Sequence, residues 1–72
     1  MNDKELEKYF GVMVLEKRNE KEITQEQLAE RVGISVNALR MVERGAYSTN
    51  WVIWLSICKA LNLDINDFMD KL

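Results

Sequence analysis

Histidine and proline are absent from this chain, cysteine occurs once, as Cys58, and there are three glycines in 72 residues. Each scarcity excludes something. A lone cysteine cannot close an internal disulfide, and without histidine the usual Cys/His zinc site cannot be assembled, so neither metal nor cofactor is expected. Cys58 lies in an apolar helical stretch and reads as a small buried hydrophobe rather than a reactive thiol. With no histidine, no carboxylate pair in a plausible pocket and no phosphate-cradling glycine loop, acid–base and nucleophilic chemistry have no carriers, and the protein is not expected to be an enzyme. The opening MNDKELEKYF is too polar for a secretory signal, and no apolar run approaches the ~20 residues of a membrane span. A cytoplasmic protein without a membrane partner is the expectation.

Seventy-two residues suit one small domain spanning 1–72, near the lower limit for a single core, and no separate effector domain is expected. A hydrophobic content of 47% argues against disorder. Strand-like alternation is nowhere sustained and good helix formers run throughout, so the fold class is all-α. The net charge of −2 is awkward for a nucleic-acid binder. Binding needs only one basic face, however, and Thr24–Tyr47 balances Arg31, Arg40 and Arg44 against Glu26, Glu30 and Glu43.

The spacing predicts five helices. The first covers about Asp3–Glu20, capped by Asp3, with Leu6, Phe10, Met13/Val14 and Lys17 along one face and Tyr9 at its margin. The second starts at Thr24, where Gln27 completes a Thr-x-x-Gln capping box, buries Leu28, Ala29 and Val32, and stops at Gly33. The third, about Val36–Arg44, is capped by Ser35, turns Leu39 and Val42 inward and ends at Gly45. The fourth, about Asn50–Leu61, is capped by Thr49 or Asn50 and carries Trp54, Leu55, Ile57, Cys58 and Leu61. Asp64 caps a last short helix that folds Ile65 and Phe68 onto the core. Thr24–Gly45 is thus two short helices joined by a tight turn, the element that lays a helix in a DNA major groove.

Arg18, the run ITQEQLA (Ile23–Ala29), Gly33–Ile34–Ser35, VERG (Val42–Gly45), and CKALNL (Cys58–Leu63) followed by DINDF (Asp64–Phe68) together resemble the phage-repressor and Cro-like helix-turn-helix regulators, the XRE family. The resemblance extends from about Phe10 to Phe68. It implies a compact five-helix, lambda-repressor-like DNA-binding domain with the helix-turn-helix at helices 2 and 3. It also implies that Gln25 clamps a phosphate, beside plain helix capping by Thr24 and Gln27, and that Arg18 and Glu43 form a largely buried structural ion pair.

On that reading the DNA-facing residues are Ser35, Val36, Asn37, Arg40, Met41 and Arg44. Asn37 suits adenine, Arg40 suits guanine, and Val36 suits a thymine methyl. Phosphate contacts fall to Gln25, Ser35, Arg44, Tyr47, Ser48 and Asn50. For Arg40 and Arg44 a solvated helix surface is the other assignment. Val36 and Met41 depart from the polar residues common in the family, Glu22 replaces the glycine usual before helix 2, and no proline lies near Thr49. The expected function is a sequence-specific transcriptional regulator, a repressor, binding a double-stranded, pseudo-palindromic operator as a homodimer. Trp51, Leu63, Phe68, Met69 and Leu72 are the expected dimer surface, although Met69 and Leu72 could equally pack on their own core. The competing reading is a protein-interaction module of the same fold, antitoxin-like or antirepressor-like, with weak or no DNA binding.

Overall fold

In a computed structural model, which describes residues 2–46 and 50–70, the chain forms five α-helices and, among those residues, no strand. They are α1 (Asp3–Glu20), α2 (Gln25–Val32), α3 (Val36–Glu43), α4 (Trp51–Leu61) and α5 (Ile65–Met69). Each start is capped by a short polar side chain accepting from the first turn, which satisfies one of its orphan N–H groups. The caps are Asn2, Thr24, Ser35, Asn50 and Asp64. For α1 the cap is Asn2 rather than the expected Asp3. The Glu5 N–H donates to Asn2 Oδ1 at 2.8 Å, and Asp3 sits one residue on, inside the first turn where its charge suits the helix dipole. Thr24 and Gln27 exchange both bonds of the expected capping box.

Two backbone features set how the helices meet. Gly33 takes φ 83°, a left-handed conformation, and its N–H closes on Ala29 O at 2.8 Å. Only two further residues then separate α2 from α3. Glu22 stands at φ 57°, the unfavourable left-handed region, at the end of α1 where a glycine would be unstrained. Its N–H bonds Asn19 O and the next, Ile23, bonds Arg18 O, so the turn is fully hydrogen-bonded despite the side chain.

The core gathers Leu6, Phe10 and Val14 of α1, Leu28 and Ala29 of α2, Leu39 and Val42 of α3, Trp54, Ile57, Cys58 and Leu61 of α4, and Phe68 of α5. Phe10 stacks on Trp54 with centroids 4.1 Å apart, and Phe68 meets both rings edge-on. Leu55, expected with the apolar side of α4, instead points outward and is 50% exposed. Lys17 is only half-buried at the rim of α1. Among the described residues no helix is long and apolar enough to cross a membrane.

Gly11 explains how closely α3 approaches α1. A Cβ there would lie 2.5 Å from Val42 O and 2.7 Å from Glu43 O, both backbone atoms that cannot step aside. An alanine at this position gains helix propensity of about 1 kcal/mol. It must push the end of α3 away, and overpacking of that kind costs about 1–3 kcal/mol. Gly11→Ala is therefore expected to lower the midpoint of thermal unfolding by several degrees, read by circular dichroism. A rise in midpoint would show that the two helices have slack between them.

Candidate nucleic-acid interface

α3 is eight residues long, too short to persist by itself in water, so its orientation comes from what it touches. Leu39 and Val42 anchor its inner side in the core. Its last residue, Glu43, is held by a polar cluster. Arg18 of α1 donates from Nε to Glu43 Oε2 at 2.7 Å and from Nη2 to Oε1 at 3.3 Å. The remaining edge of the guanidinium reaches the Ile23 carbonyl at 2.9 Å, in the α1–α2 connection. Gln25, the first residue of α2, donates its Nε2 to Glu43 Oε1 at 2.9 Å, and its Oε1 accepts from Arg40 Nε at 3.3 Å. The Arg18 and Glu43 side chains are only 12% and 5% exposed, so the pair exchanges water for a fork of charge-assisted bonds.

The outer side of this unit presents Ser35, Asn37, Arg40, Met41 and Arg44 to solvent. Ser35 Oγ is engaged by the Ala38 N–H, its capping bond. Val36 is half-buried against the core, which limits it as a base-facing side chain. Asn50 is exposed and spends Oδ1 on the Val52 N–H. Tyr47 and Ser48 lie outside the described residues. Beyond the end of α3, Arg44 shares an open cleft with Lys4, Glu7 and Lys8. The two lysines carry no mark in the sequence, because α1 reaches the end of α3 only through the fold.

The expected dimer residues divide. Phe68 is 2% exposed and belongs to the core, wedged against Phe10 and Trp54, so it cannot form a surface. Leu63 is half-buried and also packs on the core, and Leu72 lies outside the described residues. Trp51 and Met69 are exposed, and with Trp51 on α4 stand Val52 and Leu55, neither of which was among the expected dimer residues. Burial pushes the Cys58 thiol up, away from reactive thiolate. No cluster of three or more potential metal-ligating side chains occurs among the described residues.

A short α2, a left-handed glycine turn and a capped α3 with an exposed polar side match a helix-turn-helix, and the helix-turn-helix family model matches residues 14–68. The chain belongs to the XRE-type helix-turn-helix family. An uncharacterized HTH-type transcriptional regulator of Methanothermobacter thermautotrophicus is 39% identical over 49 residues, which cover 68% of this chain and 71% of that protein. The crystal structure of the clp gene regulator ClgR from Corynebacterium glutamicum superposes with a TM-score of 0.82 at 28% identity, over 89% of this chain and 68% of that one. Family and fold are those of DNA-binding transcriptional regulators.

Within this helix-turn-helix, the buried pair should behave as a unit. Arg18→Ala or Glu43→Ala strands the opposite charge and is expected to cost about 3–5 kcal/mol. The double variant Arg18→Met with Glu43→Leu is expected to lose much less than the sum. Urea unfolding of the three variants checks this. Single losses under about 1 kcal/mol, the range of solvent-exposed pairs, would contradict it.

Proposed function

We propose that the protein is a sequence-specific transcriptional repressor that occupies a pseudo-palindromic operator as a homodimer in the cytoplasm, with α3 in the major groove. The observation that carries this reading is the outward row Asn37, Arg40 and Met41 on α3, continued by Arg44 just past its end, on a helix clamped at its far end by Arg18 and Glu43. Asn37 has the donor–acceptor pair for adenine N6/N7, and Arg40 has the donor pair for guanine O6/N7. Met41 offers an apolar surface for a thymine methyl. Arg44, Lys4 and Lys8 supply phosphate-binding charge beside the groove, which reconciles a net charge of −2 with an anionic partner.

One such module buries on the order of 600–1,000 Å² on DNA, too little for tight operator binding, so two copies about one helical turn apart are required. Trp51, Val52 and Leu55, with 55%, 69% and 50% exposure, offer the largest apolar surface on α4 for a second copy. The same surface is what favours the second reading, a protein-interaction module that binds DNA weakly or not at all.

Selection from a random duplex pool at physiological salt separates the two. The repressor reading expects enrichment of a two-fold symmetric motif with half-sites about 10 bp apart, bound with an affinity that falls steeply as salt rises. It further expects Asn37→Ala with Arg40→Ala to abolish operator binding. No enriched motif, or an affinity unchanged by both substitutions, would give the interaction module the stronger claim.

A further inference from the structure

We propose that Gln25 is a positioning residue for Arg40: its side-chain amide transmits the fixed orientation of the buried Glu43 carboxylate to the exposed guanidinium, and so sets base preference at the pair Arg40 reads. The proposal rests on the DNA-binding reading above. Its geometric basis is a continuous chain of hydrogen bonds, Arg18 to Glu43, Glu43 to Gln25 and Gln25 to Arg40, running from the interior to the outer side of α3.

The direction of the chain follows from which groups donate and which accept. Arg18 and Arg40 can only donate and ionised Glu43 can only accept, whereas the Gln25 amide has one end of each kind. Its nitrogen must therefore face Glu43 Oε1 and its oxygen must face Arg40. The flipped amide would set oxygen against carboxylate and N–H against guanidinium, two repulsive contacts in place of two hydrogen bonds. Because Arg18 already fixes the carboxylate, the outward direction of Gln25 Oε1 is fixed as well. That oxygen takes the Nε–H of Arg40 at 3.3 Å and leaves the two Nη groups unspent. Those two are the pair that can approach guanine O6 and N7 end-on.

A long, exposed side chain such as Arg40 gives up rotamer freedom when it binds, and a partner that holds it beforehand reduces that loss. The gain expected from one such restraint is about three- to tenfold in operator affinity. Serving as a phosphate ligand would have a different signature. A phosphate contact carries no sequence information, so its loss weakens all duplexes alike.

The test uses the operator enriched by the wild-type protein and a duplex substituted at each base pair in turn, with wild type, Gln25→Ala, Arg40→Ala and the double variant. Expected is a loss of about three- to tenfold for Gln25→Ala, with relaxed preference confined to the base pair at which Arg40→Ala is also indifferent. In the Arg40→Ala background, removing Gln25 should change affinity by less than about twofold, since coupled neighbours are not additive. Uniform weakening across sequences, or losses that add, would overturn the relay. A second arm needs no DNA and uses Gln25→Met, which keeps the side chain's bulk: hydrogen exchange at Arg40 Nε, followed by NMR, should quicken several-fold relative to wild type. Unchanged exchange in a folded Gln25→Met protein overturns the relay by itself. A wild-type protein that enriches no sequence overturns the DNA reading and the relay's role in it together.

Discussion

The buried contact between Arg18 and Glu43 is the constraint from which the rest of the helix-turn-helix geometry follows. Its partners come from α1, from the end of α3, from the α1–α2 connection through the Ile23 carbonyl, and from the start of α2 through Gln25. Four pieces of chain thus converge on one carboxylate and one guanidinium. Apolar packing of Leu39 and Val42 also holds α3 near α1, but that attraction is non-directional. A forked, charge-assisted pair has direction, and it fixes the angle and register at which the outer side of α3 is offered. The close approach at Gly11 has the same consequence, because the carbonyls of Val42 and Glu43 rest where any side chain at that position would be.

Parts of the fold that depend on neighbours in sequence were legible in the sequence. The Thr24/Gln27 box, the left-handed turn at Gly33 and the Ser35 cap are each decided within four residues, by side-chain length and by φ. The position of the α1 cap, at Asn2 instead of Asp3, is the kind of one-residue choice that two equally good capping side chains leave open. The Arg18–Glu43 pair spans 25 residues and could be anticipated only by resemblance to the phage-repressor family. Nothing local in the sequence pairs them.

Other features depend on tertiary contacts that periodicity does not carry. Helix α4 reads WVIWLSICKAL, apolar on nearly every side, so the pattern cannot say whether Leu55 or Ile57 turns inward. Packing decides, with Ile57 fully buried and Leu55 half in solvent. Phe68 and Met69 are neighbours of similar bulk, and the aromatic cluster of Phe10 and Trp54 takes only the first. Gly11 looks like an isolated weak point in a helix until the end of α3 is placed against it. Gln25 shows the same limit within the site. Its amide suits a phosphate, a cap or a neighbouring side chain, and only the positions of Glu43 and Arg40 distinguish them.

On the proposed reading, function depends on a short exposed row backed by the Arg18–Glu43–Gln25 cluster. The chain is slightly acidic overall, yet Arg40 and Arg44 stand on or beside α3, and Lys4 and Lys8 flank the cleft at its end. The most direct measurement of the central claim is backbone NMR of the labelled protein titrated with a duplex to which it binds. Amide shifts should concentrate at Gln25 and at the exposed residues Ser35, Asn37, Arg40, Met41 and Arg44, with Arg18 and Glu43 moving little because their pair is already formed. Shifts concentrated on Trp51, Val52 and Leu55, with α3 unmoved, would contradict it.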